Sequence, residues 1–186
     1  MHGCSLSCFW QGQDNGGPGN YDGRAFYALN EFIQILKAHH VKLIVDVRTV
    51  PRSRHNPQFN KDELPNSLLN DGITYRHLPR LGGLRHARKD SINTAWKNAS
   101  FRGYADYMQT PEFEQSLEEL ISLAAKALTA IMCAEAVPWR CHRSMIGDAL
   151  LVRGFTVLDI MSETSARAHE LTSFAVVEGT NITYPL

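Results

Sequence analysis

Residues 128–153 read LTAIMCAEAVPWRCHRSMIGDALLVR, and this stretch decides the fold. Its apolar beginning, Leu128–Met132, is typical of a buried strand, and its end, Ser144–Arg153, is typical of a helix. Two thiols, a carboxylate, an imidazole and two guanidiniums lie between these segments, within the eleven residues Cys133–Arg143. Because an open α/β sheet binds ligands where its strands end and its helices begin, the sequence predicts a functional site at this connection.

Outward from this stretch, strand-like and helix-like segments alternate along the chain. The other predicted strands are 41–47, 73–78 and 155–161, and the other predicted helices are 24–40, 60–70, 101–109 and 111–126. Near the end, 174–178 and 182–184 predict a β-hairpin with a three-residue loop. We therefore expect an α/β fold: a single domain with a mainly parallel sheet flanked by helices and a C-terminal β-hairpin appended to it.

The chain of 186 residues, 44% hydrophobic and 20% charged, has the size and composition of one soluble domain. Residues 1–23 include Gly-Gly-Pro-Gly and are expected to be poorly structured, which assigns the α/β domain to 24–186. Neither a bilayer-spanning apolar run nor a secretory signal pattern is present. We expect a cytoplasmic protein without a membrane partner, whose cysteines are reduced thiols.

The net charge of zero conceals an uneven distribution. Residues 48–102 contain eleven Lys and Arg but only four Asp and Glu. The rest of the chain contains eight Lys and Arg and fifteen Asp and Glu. This surplus favours an anionic partner, either a small phosphate-bearing ligand or a nucleic acid. The alternative is a solvated surface whose charges pair with one another.

Four polar residues near the end of the second predicted strand are candidates for binding an anion. Asp46 and Arg48 share one face of that strand, so Arg48 could hold an anion while Asp46 orients it or accepts a proton. Alternatively, both pair with neighbours and fix the following loop. Arg52 and Arg54 lie in that loop, and guanidinium binds phosphate through two points, as lysine cannot. A surface loop that merely tolerates arginine is the other interpretation.

The residues that follow strand 128–132 carry the catalytic candidates. Cys141 is expected at the start of a helix, where unpaired N–H groups and the helix dipole stabilise a thiolate, and it is the candidate nucleophile. His142 is a further candidate catalytic residue, and Arg143 is a further candidate for binding the anion. Glu135 is the candidate general base. Cys133 is interpreted as a small core residue.

Spacing argues against several other chemistries. A thiol phosphatase loop requires an arginine six positions after its cysteine, and neither Cys133 nor Cys141 has one. Together with His142 these cysteines could supply three zinc ligands, but the chain has no Cys-x-x-Cys pair. A second group near the amino end fits zinc no better: His2, Cys4 and Cys8. No glycine-rich phosphate loop follows a predicted strand. We predict no cofactor and assign no metal ligand, and zinc remains the alternative.

Eight short motifs occur in an order that is itself informative. They are Val45-Asp-Val-Arg48, Pro51-Arg-Ser-Arg54, Asn56-Pro-Gln-Phe59, Leu81-Gly-Gly83, Tyr107-Met108, Cys133-Ala-Glu135, Cys141-His-Arg143 and Thr183-Tyr-Pro185. This series resembles a prokaryotic family, the domain of unknown function 488, over about residues 26–185. The resemblance implies an α/β domain whose polar motifs belong to an enzyme, with no settled reaction.

The chain departs from that family at its amino end. Members commonly open with a strand that ends in Gly-His-Ser, and this tripeptide does not occur here. Either residues 5–10 supply a substitute strand or the first strand is missing. If the family's histidine takes part in its chemistry, the departure implies impaired activity.

Three functional hypotheses follow. The favoured one is an enzyme that hydrolyses, or transfers a group of, a phosphorylated or nucleotide-like substrate. Its proposed residues are Arg48, Arg52, Arg54 and Arg143 for the anion, Asp46 and Glu135 for protons, and Cys141 with His142 for catalysis. The second is a nucleic-acid-binding or regulatory module without catalysis, and the third is an inactive member of the family.

Overall fold

The computed structural model describes residues 5–9, by their backbone alone, and residues 29–134 and 141–186. A six-stranded sheet lies at its centre. The strands are β1 Ser5–Phe9, β2 Leu43–Asp46, β3 Thr74–His77, β4 Thr129–Met132, β5 Thr156–Ser162 and β6 Ser165–Ala168. Their order is β3-β2-β4-β1-β5-β6, in which the first five run parallel and β6 pairs antiparallel with β5.

Five helices and a hairpin complete the described part of the chain. The helices are α1 Leu29–Ala38, α2 Leu64–Asn70, α3 Ala99–Tyr107, α4 Pro111–Ala124 and α5 Arg143–Leu151. The hairpin strands are β7 Val176–Glu178 and β8 Asn181–Thr183. Local sequence explains where α4 begins, because Pro111 occupies its first turn and the Thr110 hydroxyl accepts a hydrogen bond from the Phe113 N–H.

Helices cover both faces of the sheet, so that each face has its own apolar core. Successive residues of a strand point to opposite faces. Leu43 and Val45 pack in the core that contains α3, α4 and α5, whereas Ile44 packs in the core that contains α1 and α2. All four residues of β2 and all four of β4 are buried, as expected for parallel strands covered on both sides.

This arrangement creates a crevice beside β4. From β1 the chain continues through α1 on one face of the sheet to β2, and from β4 it continues through α5 on the opposite face to β5. Because β1 and β4 are neighbours, their connections leave in opposite directions at the carboxyl ends of the strands. Ligands of open α/β sheets bind at such a switch point.

The α/β fold with a mainly parallel sheet is confirmed, and so is the C-terminal hairpin. Its turn is two residues long rather than three, with Gly179 at a φ of 63°. Ser5–Phe9 forms a strand between β4 and β5, in agreement with the first alternative for the amino end. The expectation of a poorly structured segment therefore does not hold for these five residues. The expectations for residues 10–28 lie outside the described residues. Within the described ranges, the structure contains no helix whose length and apolar character would suit a membrane span.

Candidate functional site

A pocket of about 410 Å³ opens at the carboxyl ends of β2 and β4, where the sequence predicts the site. Its walls come from the residues after β2, the residues after β4, the two residues before α5, the long connection between β3 and α3, and the first turn of α3. The lining residues are Arg48, Thr49, Val50, Gly83, Leu84, Asn98, Ser100, Phe101, Cys133, Ala134, Cys141 and His142. Two candidate catalytic residues, Cys141 and His142, and one candidate anion ligand, Arg48, therefore share one cavity.

Cys141 lies in the wall of this pocket with only 1% of its surface exposed. Its sulfur accepts a hydrogen bond from Arg143 Nε at 3.2 Å and lies 3.6 Å from His142 Nδ1. Burial raises the pKa of the Cys141 thiol, but the hydrogen bond with Cys133, the charge of Arg143 and the imidazole of His142 together hold that pKa well below its usual range. This environment favours the thiolate form of Cys141.

The His142 ring is held with Nδ1 towards both sulfurs, 3.6 Å from Cys141 Sγ and 4.0 Å from Cys133 Sγ. On one side it packs against Tyr104, with ring centroids 4.9 Å apart. On another side it approaches the backbone of Gly83 so closely that a Cβ there would lie 2.5 Å from Nδ1. Its Nε2 is buried and has no hydrogen-bond partner among the described residues.

Cys133, which the sequence places in the core, has two roles in the structure. It packs in the core beneath α5, and it also lines the pocket. Its Sγ, Cys141 Sγ and a ring nitrogen of His142 all lie within 4.8 Å of one another. Both cysteines are thiols. The strand end and the helix start thus bring three soft donor atoms together.

Arg143 is fully buried, and it is not among the residues that line the pocket. The sequence predicts that it binds the anion of a substrate, but its Nε donates to a sulfur of the chain itself. Its charge is therefore placed to stabilise the Cys141 thiolate.

Asp46 and Arg48 bind each other, which was the alternative interpretation of this pair. Arg48 Nε lies 2.9 Å from Asp46 Oδ1, and Arg48 Nη2 lies 2.6 Å from Asp46 Oδ2 and 2.8 Å from the Phe59 carbonyl. The Tyr75 hydroxyl donates to Asp46 Oδ2 at 2.7 Å. Burial lowers the pKa of Arg48, but Asp46 more than offsets this, so the net shift is upward. The pair fixes the start of the following loop.

Arg48 nevertheless reaches the pocket, whereas Asp46 does not line it. Arg48 donates its side-chain hydrogen bonds from Nε and Nη2, and Nη1 makes none to the described residues. Arg52 and Arg54 are exposed and lie outside the lining. Glu135 lies outside the described residues.

One protein-family model matches the part of the chain that forms this site. The family model described as Domain of unknown function DUF488 matches residues 28–150. The chain belongs to the DUF488 family. The match covers β2, the pocket and most of α5. Neither a curated protein nor a solved structure was found to match the chain.

A buried polar cluster connects Asp148 of α5, which lies within the DUF488 match, to residues after that match. The sequence analysis did not predict this cluster. His169 Nε2 lies 3.1 Å from Asp148 Oδ1, and His169 Nδ1 lies 3.3 Å from Asp159 Oδ2. The Tyr184 hydroxyl donates to Asp148 Oδ2 at 2.9 Å. Burial lowers the pKa of His169, but the two aspartates outweigh it and raise that pKa to about 9. One signal in the sequence could have indicated this cluster: Asp148 is a charged residue among apolar residues of a predicted helix, and such a residue needs a partner if it is buried.

A second polar network holds the pocket's outer wall, the connection 82–98, of which residues 85–98 received no assignment from the sequence. Asp106 on α3 accepts hydrogen bonds from the Arg88 N–H at 2.8 Å, the Ser91 hydroxyl at 2.5 Å and Asn93 Nδ2 at 2.8 Å. Asn93 Oδ1 in turn accepts from the Tyr184 N–H at 2.9 Å. The C-terminal segment therefore holds the connection that carries Gly83 and Leu84 into the pocket wall.

Proposed function

We propose that this DUF488 protein is a thiol-dependent enzyme that hydrolyses, or transfers a group of, a phosphate-bearing substrate such as a nucleotide or nucleic acid. The observation that carries the proposal is the Cys141 sulfur in the pocket wall, 3.2 Å from Arg143 Nε and 3.6 Å from His142 Nδ1. A nucleophilic thiol with an adjacent cation and an adjacent imidazole is the arrangement that covalent catalysis requires.

The proposed reaction has two steps. In the first, Cys141 Sγ forms a bond to the electrophilic atom of the substrate, and the leaving group departs with the electron pair of the broken bond while protonated His142 donates a proton to it. In the second, water attacks the same atom, His142 accepts its proton, and the thiolate leaves. An acceptor hydroxyl in place of water gives group transfer. Arg143 stabilises the thiolate at the beginning and end of this cycle.

The position of the pocket supports an anionic substrate. Eight of its twelve lining residues belong to the basic segment 48–102. Arg48 presents Nη1 without a hydrogen-bond partner among the described residues, and Thr49, Asn98 and Ser100 add polar groups to the walls. An arginine fixed by a buried carboxylate is preorganised, so binding an anion costs little side-chain entropy.

Apolar groups in the same pocket support a substrate with a flat organic part. Val50 and Leu84 line the pocket and yet are 65% and 76% exposed, and Phe101 lies beside them in the lining. Pockets that bind small molecules combine apolar walls with a few polar groups. A nucleotide offers a phosphate for Arg48 and a base for these side chains.

The test is a search for turnover followed by trapping of the intermediate. Nucleotides, sugar phosphates and oligonucleotides are first screened for a rise in melting temperature, because ligands that bind the native state stabilise it. Substrates that bind are then assayed for turnover, and the intact protein is weighed for a covalent adduct. Cys141→Ala should abolish turnover and adduct, whereas the same change at Cys4 should not.

Two outcomes would contradict the proposal. Turnover that persists in Cys141→Ala would remove the nucleophile. Oligonucleotide binding that depends steeply on salt, without turnover and without sensitivity to Cys141→Ala, would identify a nucleic-acid-binding module instead.

A further inference from the structure

The donor atoms of Cys133, Cys141 and His142 stand at the spacing of metal ligands. His142 Nδ1 lies 3.6 Å from one sulfur and 4.0 Å from the other, and all three donor atoms fall within 4.8 Å of one another. In a tetrahedral zinc site, Zn–S bonds of about 2.3 Å and Zn–N bonds of about 2.0–2.1 Å place neighbouring N and S ligands roughly 3.6 Å apart. We infer that Cys133, Cys141 and His142 bind one zinc ion per chain.

The fold holds these donors in place without help from a metal. Cys133 directly follows β4, and Cys141 and His142 directly precede α5, so rigid elements position both sides of the site. The His142 ring is confined between Tyr104 and the backbone of Gly83. Nδ1 is therefore directed at the sulfurs before an ion arrives, which reduces the ordering that binding requires.

The chemistry of the donors selects a soft divalent ion. Two thiolates and one imidazole suit zinc and exclude magnesium and calcium, which prefer oxygen ligands. Two thiolates also neutralise the charge of Zn²⁺. Arg143 Nε, which donates to the Cys141 sulfur at 3.2 Å, would remain as an outer hydrogen bond to a coordinated thiolate.

The spacing rule that argued against zinc in the sequence does not apply to this site. Cys-x-x-Cys pairs place two ligands in one short loop, whereas here the ligands come from two elements that the sheet brings together. Three protein ligands leave a fourth coordination position, and the trio lines the 410 Å³ pocket. A small ligand or water from the pocket can complete the tetrahedron.

Zinc binding has a consequence for the proposed reaction, and this consequence rests on the proposed function. A zinc-bound Cys141 has its nucleophilic electron pair engaged by the metal. Zinc would therefore inhibit thiol-dependent turnover, and a chelator would restore it. The metal site itself does not depend on the reaction, because it is measured without substrate.

The experiment uses the whole chain of 186 residues in reduced form, freed of metal with a chelator and titrated with Co²⁺. Cobalt in a thiolate site gives a sulfur-to-metal charge-transfer band, and Zn²⁺ then displaces it. Competition with a chromogenic chelator gives the zinc affinity. We expect one ion per chain, and a loss of affinity of at least tenfold in Cys133→Ser, Cys141→Ser and His142→Gln. His86→Gln, at an exposed histidine, is the matched control and should bind like wild type.

A second measurement on the unaltered chain removes any dependence on the folding of the variants. Iodoacetamide is applied with and without Zn²⁺, and each cysteine peptide is quantified by mass spectrometry. Zinc should protect Cys133 and Cys141 and leave the labelling of Cys4 and Cys8 as it is without zinc. Protection of Cys4 and Cys8 alone, or the absence of a stoichiometric charge-transfer band, would overturn the inference. Turnover by Cys141→Ala would refute the proposed reaction and leave these binding results unchanged.

Discussion

Arg143 donates a hydrogen bond from its Nε to the sulfur of Cys141 across 3.2 Å, and both side chains are buried. A guanidinium in this position stabilises the charged form of the thiol, and the thiolate compensates a cation that would be costly to bury alone. Arg143 thus acts through Cys141 and is a positioning residue for the nucleophile.

The first prediction concerns this pair. Arg143→Met keeps much of the side-chain volume but removes the cation, so the pKa of the Cys141 thiol should rise towards its usual range. Because the thiolate is the reactive form, alkylation of Cys141 near neutral pH should slow, and its pH profile should move to higher pH. The measurement is the rate of iodoacetamide labelling of the Cys141 peptide against pH.

Arg153→Met is the control for this substitution. Arg153 lies two residues beyond the carboxyl end of α5 and pairs with a carboxylate, Glu114. Its hydrogen bonds go to Glu114 and to the carbonyls of Ala149 and Thr180, not to Cys141. Its labelling profile should match that of wild type. Identical profiles for Arg143→Met and wild type would show that the guanidinium does not set the thiol's ionisation.

The second prediction concerns the pair Asp46 and Arg48. Asp46 is fully buried and Arg48 is 7% exposed, so Asp46→Asn would leave a buried guanidinium without its counter-ion. Breaking one side of a buried ion pair costs about 3–5 kcal/mol, and we expect the free energy of unfolding to fall by this order. Urea unfolding monitored by circular dichroism gives the value.

The matched control is Asp90→Asn. Asp90 also binds an arginine two residues away, Arg88, at 2.7 Å, but both side chains are largely exposed. Its unfolding midpoint should stay within error of wild type, because solvent screens an exposed pair. Equal effects at the two positions would show that burial does not decide the strength of the Asp46–Arg48 pair.

Sequence reasoning succeeded where local signals and topology suffice. Buried parallel strands are continuous apolar runs, as in Thr129–Met132, and Thr110-Pro111 carries its own helix-start signal. Because parallel strands end at one edge of the sheet, Arg48 and Cys141 could be expected to meet, and both line the pocket. Strand β6 was missed because its four residues are all exposed and include no large apolar side chain.

The remaining features depend on contacts that one stretch of sequence does not contain. Whether Arg48 binds Asp46 or an external anion depends in part on Tyr75, which lies on the neighbouring strand. Whether the Arg143 side chain points into the pocket or towards Cys141 depends on the groups that surround it in the folded protein, and the Cys-His-Arg motif does not specify them. His169 and Asp148 meet across 21 residues of chain, so neither residue alone indicated the pair.

The third prediction concerns the close approach of Gly83 to His142. A Cβ at Gly83 would lie 2.5 Å from Nδ1 and 2.8 Å from Cγ of the ring, so Gly83→Ala must displace the imidazole. We expect a loss of stability of about 1–3 kcal/mol from overpacking, together with weaker zinc binding. Urea unfolding and the cobalt titration measure the two effects.

Leu84→Ala is the control for Gly83→Ala. Leu84 lines the same pocket but is 76% exposed, and its truncation removes atoms without creating a clash. Stability and metal binding should remain close to wild type. If Gly83→Ala behaved in the same way, the ring of His142 would not be confined by the backbone beside it.

The fourth prediction concerns the pH dependence of stability. The pKa of His169 is raised from 6.5 to about 9 by Asp148 and Asp159, against the opposing effect of burial. The folded protein therefore holds this proton more tightly than the unfolded chain does. The resulting stability is fully present below pH 6.5 and is lost as pH rises to about 9. The contribution is on the order of 2 kcal/mol after allowing for partial solvent screening.

Wild-type stability alone cannot isolate this contribution, because Cys141 acts in the opposite direction. The pKa of its thiol is lowered in the folded protein, so its contribution grows as pH rises towards the ordinary thiol range. The informative quantity is the difference in unfolding free energy between wild type and His169→Gln, measured in urea at pH 6, 7.5 and 9. This difference should shrink as pH rises, whereas the difference for His86→Gln should stay constant. A constant difference for His169→Gln would mean that the ring carries no extra proton between its two aspartates. The cluster would then contribute only neutral hydrogen bonds to the attachment of the C-terminal segment to α5.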